Sequence, residues 1–183
     1  TEDICVAYQG VEGSYSSIAS SEYFPNEARV GFPTFDAVIE AVQTDHATHA
    51  LLPIENSTAG RVADLHHLLP HSGLTIIGEH FLPIKHALIA LRDATLETVT
   101  HVYSHREALS QCKHTLQDLH LESVPFGDTA KAVSFISEEK NIRYAALAST
   151  YAATLYPNVQ ILKESVQDET NNVTRFLILT KKP

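Results

Sequence analysis

The chain has 183 residues, of which 44% are hydrophobic and 19% charged, and its formal net charge at pH 7 is −9. This is the composition of a globular protein with enough chain to bury a sizeable core. The negative charge argues against nucleic acid as a partner, because phosphate binding needs clustered Lys and Arg. No segment approaches the roughly 20 apolar residues of a membrane span. No basic leader is visible, so the sequence predicts a cytoplasmic protein without membrane contact.

Short apolar runs alternate with helical patterns in the first part of the chain. Phe35, Val38, Ile39 and Val42 recur with a helical period, for example, and predict one amphipathic helix. In chain order the pattern predicts a strand at 4–8, a helix at 14–24, a strand at 29–32, a helix at 34–44, a strand at 49–54, a helix at 59–69 and a strand at 74–78.

A long extended segment at 79–91, which contains Pro83, interrupts this alternation. The second set of predicted elements is a strand at 99–104, a helix at 106–119, a strand at 122–126, a helix at 129–139, a strand at 144–148, a helix at 150–155 and a strand at 159–162. A polar stretch at 167–172 then leads into a last strand at 174–180.

The alternation of strands and helices predicts α/β subdomains with mainly parallel sheets. The two interruptions predict that the chain crosses between subdomains twice. The first subdomain is then formed by residues 1–78 plus 170–183 and the second by residues 79–169. A cleft between two such lobes is where a small-molecule pocket is expected.

Polar residues follow several of the predicted strands. Glu55, Asn56 and Ser57 come where a strand ends, and they would either converge on the edge of a cleft or cap the next helix. Ser104 and Glu107 have the spacing of a capping box, which makes Ser104 the predicted cap. The start of that helix, which includes His105, could also hold an anion.

The last strand opens with Asn172-Val173-Thr174-Arg175-Phe176. Arginine suits bidentate binding of a carboxylate. Threonine offers a hydroxyl, and phenylalanine offers an apolar ring. An ordinary edge strand with a surface arginine would explain the same residues. In a regular strand Thr174 and Phe176 share one face while Arg175 points to the other.

Glycines and cysteines give weaker signals. Gly10 and Gly13 form a turn before a helix, which would hold an anion or simply carry a serine cap, without the spacing of a dinucleotide site. Cys5 and Cys112 are predicted to be reduced core thiols. The 11 histidines fall in no metal-binding pattern, so no metal site is predicted.

Taken together, these stretches resemble the prephenate dehydratase family along essentially the whole chain. The matching segments are Gly10–Ser16, 53–57 with Gly60, Gly78-Glu79, Ser104-His105 with Ala108-Leu109 and Gln111-Cys112, Asp128–Ala130, 145–149 and Asn172–Phe176. Each motif is short, but the full set in this order is specific. Many members continue into an ACT regulatory domain that binds phenylalanine, and the sequence stops before such a segment.

The resemblance implies a function and an architecture. It implies two similar α/β subdomains arranged like a type II periplasmic binding protein, with the active site in the cleft, no cofactor, and assembly as a homodimer or homotetramer. It implies the decarboxylating dehydration of prephenate to phenylpyruvate, water and carbon dioxide in L-phenylalanine biosynthesis, a lyase reaction. Arogenate dehydratase and prephenate decarboxylase are alternatives on the same scaffold, and a non-catalytic solute-binding module is an alternative of another class.

The resemblance also assigns residues. It implies that Thr174 carries the key hydroxyl, that Arg175 helps to bind substrate, and that Phe176 packs near its ring. The other positions that match the family's pocket are Asn56, Ser57, Ser104 and His105. Because a threonine hydroxyl is a weak acid, we also expect a proton relay from water, Glu55 or His105.

Overall fold

The structure is a computed structural model that describes residues 3–181. Residues up to Pro83 form β1 (Cys5–Gln9), α1 (Tyr15–Tyr23), β2 (Ala28–Phe32), α2 (Phe35–Gln43), β3 (His49–Asn56), β4 (Gly60–Arg61), α3 (Ala63–Leu68), a 3-10 turn (Leu69–His71) and β5 (Leu74–Pro83). The elements that follow are β6 (Ala87–Leu91), β7 (His101–Ser104), α4 (Arg106–Gln111), α5 (Lys113–Asp118), β8 (Glu122–Pro125), α6 (Thr129–Glu139), β9 (Tyr144–Ala148), α7 (Thr150–Thr154), β10 (Val159–Lys163) and β11 (Val173–Lys181). None of the helices in residues 3–181 is long and apolar enough to cross a membrane.

The chain divides into two compact units. The first takes in the residues up to Pro83 and those from Asn172 onwards, and the second is Ile84–Asn171. From the sequence, these crossings were predicted after residues 78 and 169. The first crossing comes later in the structure because β5 stays paired with β11 as far as the Pro83–Val173 pair.

Each unit contains one sheet, and the two sheets share a strand order. In the first unit the order is β2-β1-β3-β11-β5, with β4 paired to β3. In the second unit, read in the corresponding direction, it is β8-β7-β9-β6-β10. The strands β1, β2 and β3 pair in parallel, as do β7, β8 and β9. One antiparallel strand is inserted in each sheet, β11 in the first and β6 in the second. The prediction of two similar α/β units is therefore confirmed, and each of the two sheets is mixed.

Each unit also has its own hydrophobic core. In the first, α2 packs Val38, Ile39 and Val42 against the sheet, so the predicted amphipathic face is confirmed. In the second, the fully buried alanines of β9 let α6 pack closely on the sheet through Val133 and Ile136. Burial of such apolar side chains contributes about 1.5–3 kcal/mol each and is the main force that holds each unit together.

Two predicted helices differ from the observed ones. The segment predicted to be helical from residue 59 begins as β4, whose Gly60 and Arg61 pair with the end of β3, and α3 starts only at Ala63. The single helix predicted at 106–119 is interrupted at Cys112. At that break the backbone carbonyl of Gln111 accepts from the Asp168 N–H, and the Asp168 carboxylate accepts from the His114 N–H. A distant segment therefore ends one helix and caps the next.

Candidate active site

In the first unit the C-terminal end of β3 lies beside the N-terminal end of β11, because the two strands are antiparallel neighbours. Thr174 lies opposite Asn56 and Arg175 opposite Glu55 in the register of this pair. Ser57 extends the pairing beyond the strand, since its N–H donates to the Val173 carbonyl and its Oγ accepts from the Val173 N–H, both at 2.9 Å. Three residues predicted from sequence, Asn56, Ser57 and Thr174, are thus brought together.

The Asn56 side chain links the residues at the start of β11 to the turn after β3 through short hydrogen bonds. Its Nδ2 donates to Thr174 Oγ1 at 2.8 Å and to Asn172 Oδ1 at 2.8 Å. Its Oδ1 accepts from the Thr58 and Ala59 N–H groups at 3.0 and 2.9 Å. The alternative that Asn56 or Ser57 caps a helix is wrong, because α3 begins after Val62 without a side-chain cap.

Arg175 has different partners from Thr174. Its Nε and Nη2 both bond Glu79 Oε2, at 2.9 and 2.7 Å, and its Nη1 lies 3.5 Å from Glu55 Oε1. The hydrogen bond that the guanidinium donates to Glu79 is the main cause that raises the pKa of Arg175, so the side chain stays charged. Two carboxylates therefore hold the arginine that was predicted to clamp substrate.

The alternation of side chains along β11 explains this separation. Arg175, Leu177 and Leu179 line one cavity of about 640 Å³ in the first unit, together with Glu79. The register between β3 and β11 shifts between Arg175 and Phe176, which leaves Ile54 as the extra residue on β3. Thr174 bonds Asn56 instead, so the irregularity does not give it the partners of Arg175.

Glu55 and Phe176 each have their own surroundings in the first unit. Glu55 is an ion-pair partner of Arg175, and no recorded contact in residues 3–181 joins it to Thr174, so the structure gives no support to a proton relay through Glu55. Phe176 is only 1% exposed. Its ring lies in the protein interior, where it stabilises the sheet.

Ser104 and His105 lie in the second unit, at the junction of β7 and α4. The prediction that Ser104 caps this helix is wrong, because Ser104 is fully buried and its Oγ donates to the Leu147 carbonyl of β9 at 2.8 Å. The cap is His105, whose Nδ1 accepts from the Glu107 N–H. His105 also borders a cavity of about 410 Å³ formed with Pro125, Phe126 and Gly127, among others.

The weaker sequence signals have structural explanations. Ser14 caps α1 and Ser17 Oγ accepts from the Gly13 N–H, so the helix start is served by its own serines. Asp128 caps α6. Cys5 and Cys112 are free thiols, and burial raises the pKa of Cys112 to about 12, so its thiol is not an activated nucleophile. In the described part of the chain no group of three or more His, Cys, Asp or Glu could hold a metal ion.

Two residues that complete these contacts, Asn172 and Glu79, had no role predicted from sequence. Asn172 is 2% exposed and accepts from Asn56, and Glu79 is the main partner of Arg175. The spacing of Asn172 two positions before Thr174 was a usable signal, because it places both side chains on one side of an extended chain. The pairing of Glu79 with a residue 96 positions away had no such local signal.

The fold and this site define a class of α/β protein built from two units with matching sheets. Within that class, residues 6–183 match the family model described as prephenate dehydratase, and the chain belongs to that family. It is 42% identical to arogenate dehydratase 4, chloroplastic, of Arabidopsis thaliana over 180 residues, which is 97% of this chain and 42% of the relative. It is 38% identical over 178 residues to the bifunctional N-acyl-homoserine lactone acylase/prephenate dehydratase of Komagataeibacter europaeus, covering 97% of this chain and 63% of that one.

Solved structures support the fold assignment. The prephenate dehydratase of Arthrobacter aurescens, solved in complex with L-Phe, superposes with a TM-score of 0.91 at 24% identity, over 98% of this chain and 61% of that one. A ligand-binding component of an ABC-type import system from Staphylococcus aureus superposes with a TM-score of 0.51 at 13% identity, over 98% of this chain and 66% of that one. The fold is therefore shared with solute-binding proteins. The chain spans less than half the length of the plant relatives it matches.

Proposed function

We propose that this chain catalyses the decarboxylating dehydration of prephenate to phenylpyruvate, as a step of L-phenylalanine biosynthesis. Membership of the prephenate dehydratase family supports the reaction class. The observation that carries the chemistry is the hydrogen bond from Asn56 Nδ2 to Thr174 Oγ1 at 2.8 Å. It makes the threonine oxygen an acceptor towards Asn56, so the hydroxyl proton is directed to another acceptor.

In this proposal that acceptor is the ring hydroxyl of the substrate. Loss of carbon dioxide together with hydroxide makes the ring aromatic, and the barrier lies largely in the departure of a poor leaving group. A hydrogen bond from Thr174 that strengthens as negative charge develops on the departing oxygen would lower this barrier. Such assistance contributes about 10²–10⁴-fold to a rate. The proton that completes water formation then comes from solvent or from His105.

The remaining roles rest on the family resemblance. We propose that Ser104 and His105 also belong to the substrate site, and we keep Arg175 as the partner of the side-chain carboxylate. Its two-pronged geometry suits a carboxylate. In the structure the Arg175 guanidinium is paired with Glu79. Substrate binding would therefore require Arg175 to exchange the Glu79 carboxylate for the carboxylate of the substrate.

The experiment that tests the proposal mixes the purified protein with prephenate and follows the phenylpyruvate absorbance. Turnover to phenylpyruvate supports dehydration. A decarboxylated product that keeps its hydroxyl would identify a prephenate decarboxylase instead. Tight binding of prephenate without any product would identify a solute-binding module, to which the shared fold also corresponds.

Arogenate is the second candidate substrate, because arogenate dehydratases stand among the most similar relatives. Arogenate replaces the keto group of prephenate with an ammonium group, so a preference for it would require an added acceptor or carboxylate in the pocket. Comparison of kcat/KM for the two substrates at equal enzyme concentration decides between them. A prephenate value at least tenfold higher supports the primary proposal.

Assembly as a homodimer or homotetramer and a cytoplasmic location also belong to the proposal. Both come from the sequence analysis. Light scattering coupled to size-exclusion chromatography measures the first, where a mass near 20.2 kDa, the mass of one chain, would contradict it. Fluorescence of a tagged protein in the source cell measures the second.

A further inference from the structure

Three polar side chains form a cluster where β3 ends and β11 begins, and we call it the amide cluster: the half-buried Asn56 and the buried Asn172 and Thr174. Asn172 is 2% exposed and Thr174 9% exposed. Polar groups buried to this extent are costly unless they are hydrogen-bonded. Here Asn56 bonds both of the other members at 2.8 Å.

The orientation of the Asn56 amide is fixed by its surroundings. Two backbone N–H groups, those of Thr58 and Ala59, point at Oδ1, so a flipped amide would place its NH₂ group against two donors. Nδ2 therefore faces β11. Its two protons match the two acceptors at 2.8 Å, while the Val173 carbonyl is more distant at 3.4 Å.

Asn172 takes one of those two protons and so selects the direction of the other. With the Asn172 oxygen in place, the second Asn56 proton is directed at Thr174 Oγ1. Without it, only the Oδ1 contacts hold the Asn56 amide, which can then tilt towards the Val173 carbonyl and weaken its hydrogen bond to the threonine oxygen. The hydroxyl would then rotate between acceptors inside the protein and substrate.

We infer that Asn172 is a positioning residue that acts through Asn56 to keep the Thr174 hydroxyl as a hydrogen-bond donor towards substrate. The inference rests on the proposed function and adds a residue to it. Asn172 does not touch substrate in this scheme, so its loss lowers kcat while KM changes little. Because the effect passes through the Thr174 hydroxyl, it disappears when that hydroxyl is absent.

The test compares variants in the intact protein with the substrate that the wild type turns over. N172L removes the acceptor and keeps the branched shape of the side chain, and N172D keeps an oxygen at the same place. We expect N172L to lower kcat about tenfold, a fraction of the contribution of an assisting proton donor, with KM within twofold, and N172D to recover most of kcat. N171L is the matched control, since Asn171 is the exposed preceding residue, and it should retain wild-type kinetics.

A double-mutant cycle decides whether Asn172 acts through Thr174. In a T174V background, N172L should change kcat by less than twofold. An equal loss in both backgrounds, or a folded N172L with wild-type kcat, overturns the inference while the proposed function stands. If N172L does not fold by circular dichroism, N172A replaces it with the same expectations. A wild-type protein that turns over neither prephenate nor arogenate overturns the proposed function and this inference with it.

Discussion

At the scale of single residues, Thr174 and Arg175 are neighbours in sequence that belong to different sets of contacts. Thr174 bonds an amide, and Arg175 bonds two carboxylates. The sequence was sufficient to predict that they face opposite sides, since strand periodicity is two. It was insufficient to predict the partners, because Glu79 and Asn56 reach β11 only through the pairing of distant strands.

Replacing Thr174 tests the hydroxyl directly. We expect T174V to lower kcat at least about 100-fold, because it removes the donor to the departing oxygen, and T174S to retain part of the activity. Steady-state kinetics with prephenate measure both. Near-normal kcat in T174V would show that the departing hydroxyl receives its hydrogen bond elsewhere.

Replacing Arg175 separates substrate binding from structural support. We expect R175K to raise KM several-fold with a smaller change in kcat, because lysine cannot form the planar two-pronged contact. E79Q serves as comparison, since it weakens the ion pair and leaves the guanidinium in place. An unchanged KM in R175K would assign Arg175 to cross-strand support of β11, where exposed ion pairs contribute about 0–1 kcal/mol.

At the scale of elements, the sequence predicted most helices and strands because their patterns are local. The helix α6 and the strand β9 have the predicted bounds, since Asp128 supplies a cap and an uninterrupted apolar run supplies a strand. The break at Cys112 could not be predicted, because its cause is Asp168, far along the chain. The strand β4 was missed for the same reason, since two residues form a strand only where a partner pairs with them.

The close approach of β2 to the turn that follows β1 provides a prediction at this scale. A Cβ added at Gly31 would lie 2.2 Å from the Gly10 carbonyl oxygen, which is backbone and cannot rotate away. We therefore expect G31A to destabilise the protein by about 1–3 kcal/mol, measured by urea unfolding. G127A is the control, because a Cβ at Gly127 meets nothing within 4 Å. Equal stability of the two variants would contradict the predicted clash.

At the scale of the whole molecule, the repeated rhythm of strands and helices was enough to predict two similar α/β units. It could not show that β11 and β6 are inserted as antiparallel strands inside the sheets, because strand order depends on contacts between distant segments. The candidate site was likewise predictable only where its signal was local in sequence. The motif at 172–176 was visible in sequence, whereas the Asn56–Asn172 contact needed the sheet of the first unit.

The stability of the molecule should depend on a buried histidine of the second unit. His86 is 3% exposed, its Nε2 lies 2.7 Å from Gln111 Oε1, and burial lowers its pKa below the usual 6.5. The unfolded chain therefore binds this proton first as pH falls. The free energy of unfolding should be unaffected by His86 above pH 6.5 and should decrease as pH falls below 6.5 towards the folded-state pKa.

Urea unfolding at pH 7.5 and at pH 5.5 measures this effect. H86Q should lose part of the difference between the two pH values, because glutamine takes up no proton in this range. H67Q is the matched control, since His67 is exposed, and it should keep the wild-type difference. A difference that is the same in H86Q and in wild type would assign the acid sensitivity to other groups.

The position of β11 has a consequence for how the chain acquires its structure during translation. The first unit is begun by residues 3–83, but its sheet lacks the strand between β3 and β5 until residues 173–181 have been synthesised. The second unit is continuous in sequence, so all strands of its sheet are available before β11 has been synthesised. We therefore expect the unit that is synthesised later to fold first on the ribosome. In that interval β3 and β5 present unpaired edges, which are the surfaces that chaperones shield from aggregation.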